Sequence, residues 1–265
     1  MGVDTALSMA ISGEECARLA TIDNIQELVP YVASNTSAGT GRKCGISDWR
    51  STGMGYGYQP AVFPGDSFTL TFSLDGTNGY TGSGYCEQVD IIIDVEKGGY
   101  IENAVHASRN GALTVGAAAA TDTTIPDPPC VQSLSVKLDT TAQDDVRFMH
   151  LMMRCPGKKY VSSDTAGGRE RKRGAMDAQL TYRVYNIDPA DLPTKGTQYV
   201  VNVMVTVSGT LSWELKWMRC ESVKQLADHE SDECVSAEVK MSFDCSDGET
   251  LGWIINPADS TVWPF

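Results

Sequence analysis

The sequence predicts an all-β protein made of two tandem antiparallel sandwich or barrel domains, and three observations carry that expectation. Apolar and polar residues alternate with a period of two in segment after segment. Gly-rich polar stretches punctuate those segments. The second half of the chain repeats the order of residues in the first.

The alternation places the strands. Phe68, Leu70, Phe72 and Leu74 share one face of a segment whose other face is Ser67, Thr69, Thr71 and Ser73. Leu134, Val136 and Leu138 alternate with Ser135 and Lys137. Tyr199, Val201, Val203, Val205 and Val207 line one face, and Leu211, Trp213, Leu215 and Trp217 line another. Val235, Ala237, Val239, Met241 and Phe243 alternate with Ser236, Glu238, Lys240, Ser242 and Asp244. One wet face and one dry face per strand is the pattern of antiparallel sheets laid over a core. Asp75-Gly76-Thr77-Asn78-Gly79 has the turn chemistry of a hairpin. One short helix per repeat is expected, at 25–32 and at 223–231.

The repeat keeps its register over long stretches. Ser34-Asn35-Thr36 falls on Ser163-Asp164-Thr165, and without a gap Gly39 falls on Gly168, Arg42-Lys43 on Arg171-Lys172, Gly45 on Gly174 and Asp48 on Asp177. A small insertion brings Gly65 onto Gly196. Further on, Cys86-Glu87 meets Cys220-Glu221, Val89 meets Val223, and Val105 meets Val239. Three blocks in the same order point to a duplication. Between the copies, 121–129 is polar and carries Pro126, Pro128 and Pro129, a stiff connector that cannot be a central strand. The expected layout is therefore 1–120, a first domain with an N-terminal arm; 121–129, the linker; and 130–265, a second domain.

Composition narrows the function classes. The 265 residues suit one or two domains. No apolar run approaches the roughly 20 residues of a membrane helix, and Met1-Gly2-Val3-Asp4 does not open like a signal peptide, so a cytoplasmic origin and no membrane partner are expected. The eight cysteines show no CxxC and no tight pairing, and reduced, mostly buried thiols are expected. A net charge of −13 disfavours a nucleic-acid reader, because phosphates need basic partners.

Catalytic chemistry is scarce. His106, His150 and His229 are scattered, no HExxH occurs, and Gly82-Ser83-Gly84 is not a nucleophile elbow. Gly39-Thr40-Gly41-Arg42-Lys43-Cys44-Gly45 misses the dinucleotide spacing by one residue. Asp94-x-Glu96 and Asp228-x-Glu230 lack the neighbouring oxygen ligands of a calcium loop and read as solvated charge. No cofactor, no metal and no enzymatic activity are expected. The densest charge run is Arg169-Glu170-Arg171-Lys172-Arg173, inside the long segment 157–173; its counterpart is Arg42-Lys43, after the loop 34–41. Contact with an acidic face of another copy is preferred here over a solvated loop, and either over DNA contact.

Taken together these features resemble the tail tube (major tail) proteins of tailed phages. The tandem β units, the loop before each Arg-Lys pair, the run His106-Ala107-Ser108-Arg109-Asn110-Gly111-Ala112-Leu113, the segment 213–217 and Gly252-Trp253-Ile254-Ile255-Asn256-Pro257 carry the resemblance, which spans most of 22–257. It implies a two-domain variant whose trimers form pseudo-six-fold rings, stacked into a hollow tube in the virion tail and assembled in the host cytoplasm. It implies as partners further copies of the chain, the tape measure, terminator and tip proteins, and double-stranded DNA passing without specific binding. Arg42, Lys43, Arg169, Arg171, Lys172 and Arg173 are then candidates for contact between subunits or rings, and Asp75, Glu87, Asp90 and Glu221 for an acidic lumen. Three copies would carry three times −13, a charge that repels DNA. The strongest rival reading is a tandem β-sandwich binding module, an adhesin or capsid decoration protein, with Trp49, Trp213, Trp217, Trp253 or Trp263 against a sugar. A carboxylate-based hydrolase on a β scaffold is the more distant one.

Overall fold

The computed structural model describes residues 8–11, 14–15, 19–31, 40–56, 62–73, 77–117, 130–161, 168–207, 210–226, 236–244, 252–255 and 261–264. Asp75, the linker 121–129, and the 228–230 positions lie outside them, as do most of the loop 34–41 and the centre of 157–173.

The fold is all β. In chain order the strands are β1 (Ser8–Ile11), β2 (Glu14–Glu15), β3 (Leu19–Tyr31), β4 (Gly41–Tyr56), β5 (Ser67–Ser73), β6 (Asn78–Asp94), β7 (Tyr100–Arg109) and β8 (Thr114–Ala117) in the first half. The second half has β9 (Ser133–Leu138), β10 (Thr141–Gln143), β11 (Val146–Arg154), β12 (Lys158–Tyr160), β13 (Glu170–Lys172), β14 (Asp177–Tyr185), β15 (Gln198–Thr206), β16 (Thr210–Leu226), β17 (Ser236–Phe243), β18 (Gly252–Ile255) and β19 (Thr261–Pro264). Every ladder between these strands is antiparallel. A single 3-10 turn, Pro189–Asp191, capped by the Asp188 carboxylate on Ala190 N–H, is the one helical element among the described residues.

Among the described residues of the expected helices, 25–31 and 223–226, no α-helix forms, contrary to the sequence expectation. Ile25 to Tyr31 continue β3, and Val223 to Leu226 continue β16. A β-bulge at Glu27, between Gln26 and Leu28, shifts the alternation by one residue. Ile25, Leu28 and Val29 thereby acquire the i, i+3, i+4 spacing of a helix while remaining extended. A similar slip moves Trp217 off its expected apolar face. It has φ 64°, and Met218 takes the core position instead, fully buried opposite Tyr199.

The strand pairings of the first half recur in the second. β1 pairs with β2 and β5, as β9 does with β10 and β15. β4 lies between β3 and β7, as β14 lies between β11 and β17. β6 pairs with β5, β7 and β8, as β16 does with β15, β17 and β18. The register recurs too: Arg50↔Ser108 corresponds to Gln179↔Ser242, and Ser67↔Tyr85 to Gln198↔Arg219, on the offsets of the sequence repeat. Even the irregularity is matched, with one bulge at Glu87 and one at Glu221.

Those bulges turn β6 and β16 from one layer into the other. The early part of β6 pairs with β5 and β8, and the later part with β7. Each half is thus two layers sharing one long bent strand, and buried side chains from both halves, among them Trp49, Leu70, Ile91, Leu151, Tyr182, Val203 and Trp213, form one contiguous core.

Candidate assembly interface

The halves meet edge to edge. The end of β6 pairs with β11 over seven residues, from Phe148↔Asp94 to Arg154↔Gln88. One layer therefore runs through the whole chain as eight antiparallel strands, in the order β3, β4, β7, β6, β11, β14, β17, β16. Val89, Ile91 and Ile93 of β6 and Met149, Leu151 and Met153 of β11 are buried on its core side. The joint buries apolar rows on both strands, which fixes its register, since a slip of one residue would turn them to the solvent side.

The solvent side of the joint holds a polar cluster. Asp90 Oδ1 lies 2.8 Å from His150 Nε2, and Oδ2 lies 3.0 Å from His106 Nε2. Gln88 Nε2 donates to Oδ2 at 2.7 Å, and Thr52 Oγ1 sits 3.2 Å from His106 Nδ1. Burial alone would raise the pKa of Asp90, but the hydrogen bonds from His106, His150 and Gln88 outweigh it and hold the carboxyl well below the usual range. The cluster spans both halves, His150 coming from the second.

A second contact locks the joint. After β11, Pro156 and Gly157 break the strand, and β12 and β13 form a two-stranded arm that folds back onto the first half. The side chain of Arg171 on this arm has no exposed surface. Its Nη2 lies 3.1 Å from Asp48 Oδ2, its Nε 3.2 Å from Glu87 Oε1, and its Nη1 donates to the Arg109 carbonyl at 3.3 Å. Ser108 Oγ donates to the same Glu87 oxygen at 2.8 Å. The guanidinium is a fork of donors, and here each tine meets an acceptor, as a buried cation requires. Arg169 adds a more exposed pair with Glu27 at 3.1 Å. Gly168 makes the approach possible: a Cβ there would stand 1.9 Å from Arg109 Cζ.

The run 169–173, expected to clasp another copy, is thus engaged within its own chain at Arg169 and Arg171. Lys172 stacks its ammonium over Tyr160 at 5.0 Å, and Arg173 Nη2 lies 3.2 Å from Met176 Sδ. Of the acidic candidates, Glu87 binds Arg171, Asp90 binds the two histidines, and Glu221 is exposed beside Lys240 at 3.4 Å, accepting from Ser242 Oγ. Asp48 recurs as Asp177, each six residues after the Arg of an Arg-Lys pair, and that recurrence is the signal the sequence offers for a carboxylate partner.

The first half carries the same arm, touched at its base by Arg169 through Glu27 and Ser47 but with its tip undocked. Residues 26–31 of β3 and 41–47 of β4 form it, and its register Val29↔Lys43 and Tyr31↔Gly41 reproduces Lys158↔Lys172 and Tyr160↔Glu170. Lys43 lies over Tyr31 at 5.0 Å, as Lys172 lies over Tyr160. Arg42, the counterpart of Arg171, is exposed, as are Ile25, Leu28, Val29 and Tyr31. Among the described residues no strand pairs with the outer edge of β3, nor with the outer edge of β16 from Glu221 to Leu226.

Trp49 and Trp213 are each 1% exposed and offer no stacking face to a sugar, while the side chains of Trp253 and Trp263 lie outside the described residues. Among the described residues no group of His, Cys, Asp and Glu is arranged to hold a metal ion, and no helix is long and apolar enough to cross a membrane. Cys86, Cys155 and Cys220 are buried thiols, and Cys44 and Cys130 are exposed ones. No protein-family model matches the chain, and no curated protein matches it.

Proposed function

We propose that this chain is a structural protein that assembles into rings and stacks them into the hollow tail tube of a phage. The reading takes the two halves, about 1–120 and 130–265, as duplicated tube domains. The observation that carries it is the eight-stranded layer, which crosses from one half to the other through an edge joint and ends in two edges that, among the described residues, have no partners. Exposed edges of this kind invite pairing and are ordinarily blunted or covered. A ring covers them.

Ring size follows from strand number. Three copies contribute 24 strands to one wall, eight from each. At roughly 4.8 Å per strand, the backbone circle is about 37 Å across before tilt widens it. Side chains take about 5 Å from each wall, half the spacing of packed sheets, which leaves about 27 Å. That admits a DNA duplex. Two copies leave about 14 Å on the same reckoning, which does not.

The solvent face of this wall carries paired charges of both signs: Arg154 pairs with Asp177 at 2.5 Å and Arg183 with Glu238 at 3.5 Å. Cations already neutralised by carboxylates offer phosphates little purchase. DNA would slide past because those arginines are occupied. Tape measure, terminator and tip proteins would meet the tube at its ends, in the virion.

Negative-stain electron microscopy of the purified protein, beside its mass in solution, tests the reading. Three-fold rings or hollow tubes are expected. A stable monomer at high concentration would overturn it and leave the tandem binding module as the better account.

A further inference from the structure

We propose that the chain assembles head to tail by repeating its own internal joint, with the β3 edge and first arm of one copy taking, on the next copy, the place that β11 and the second arm take within the chain. This rests on the ring-forming reading above and names the residues that make the contact.

The offsets of the two halves convert one ladder into the other. His150↔Ile92 becomes Thr21↔Leu226 of the next copy, Leu151↔Ile91 becomes Ile22↔Gln225, and Met152↔Asp90 becomes Asp23↔Lys224. The charges agree, because a carboxylate on one edge faces an ammonium on the other. Exposure agrees as well at the core-side row, where Val89 is fully buried at the internal joint and its counterpart Val223 is half-exposed.

The arm makes an independent match. Arg171 enters between Asp48 and Glu87 of the first half, and the counterparts are Arg42 for the guanidinium and Asp177 and Glu221 for its acceptors. The receiving side is already formed, since Ser242 donates to Glu221 as Ser108 donates to Glu87. Asp177 and Glu221, with side chains 36% and 43% exposed, are accessible and would accept the guanidinium beside their present partners Arg154 and Lys240. Arg42 is exposed, and among the described residues no ion pair engages it. A contact between two different edges is heterologous, and so it builds closed rings when the rotation closes.

Charge exchange in the full-length chain tests this. Arg42→Glu should raise the protein concentration needed for assembly by about tenfold or more, with the thermal unfolding of the chain unchanged. Glu221→Arg should do the same, and Arg42→Glu with Glu221→Arg together should restore assembly toward the wild-type concentration. A second probe does not depend on charge: Asp23→Cys with Lys224→Cys, oxidised, should yield a ladder of covalent oligomers that neither single variant gives. If wild-type rings form but neither the exchange nor the cross-link behaves so, these edges and residues are wrong and the ring-forming reading stands. If the wild-type chain forms no rings, both fail.

Discussion

Arg171 and Arg42 occupy equivalent places in the two halves and live in opposite surroundings. Arg171 is sealed between Asp48 and Glu87, while Arg42 stands in solvent on an arm of the same register. The local sequence is shared, Arg-Lys in both, and the ladders are shared. What differs is whether the surface that receives the arm lies in the same chain. Burial here is a property of the neighbour, not of the residue, and a surface residue on one half can be a core residue on the other.

The sharpest way to break this contrast is to remove each arginine in turn. Arg171→Met leaves the Asp48 carboxylate buried without its cation and should cost about 3–5 kcal/mol of unfolding free energy. Arg42→Met should stay within about 0.5 kcal/mol. Urea unfolding of dilute protein measures both, and equal losses would erase the distinction between docked and undocked arms.

Asp90→Asn comes next, with an expected loss of about 1.5–3 kcal/mol, because hydrogen bonds to a charged acceptor are given up inside the joint. The joint has no counterpart of this carboxylate at Lys224, so the loss should appear in folding of the chain and not in contacts between copies. Its pH dependence has a definite sign. The folded pKa is depressed, so the stability it contributes is complete above the ordinary value of 3.8 and fades as pH falls through the lower folded value. Unfolding curves of wild type and variant should therefore draw together progressively as pH falls below about 4. Curves that stay parallel there would remove Asp90 from the account.

Gly168→Ala must displace the Arg109 guanidinium and should cost about 1–2 kcal/mol, read by the same urea titration. A smaller pair of losses sharpens the comparison instead of breaking it. Lys172→Ala and Lys43→Ala each remove an ammonium from a tyrosine face at the same distance, and both should lose about 0.5–1 kcal/mol. A loss at one position alone would show that the two arms are not held alike.

Much of the architecture was legible in the residues. Alternation located Phe68 and Leu70, Val201 to Val205 and Val239 to Met241 on buried faces, and the repeat offsets predict the ladder registers. Two of the misreadings, the helix at 25–32 and the face of Trp217, share one physical cause. A bulge adds a residue without ending the strand, and at Glu27 and Trp217 it replaces a period of two with spacings that imitate a helix or shift a face. The candidate interface was half visible. Arg-Lys pairs and Glu87 with Glu221 stand out in a line of sequence, but which acid meets which arginine depends on a fold-back at Pro156 that no local pattern announces.

The fold-back also bears on how a ring is reached. Because the second arm and its receiving surface belong to one molecule, their effective concentration is set by the chain and not by the cell, and that joint is made at any dilution. A six-unit ring of separate units loses translational and rotational freedom at every joint, at several kcal/mol each. In the proposed ring half of the joints would be covalently prepaid. Contacts between copies could then be individually weak, and a wrongly placed copy could leave before the circle closes.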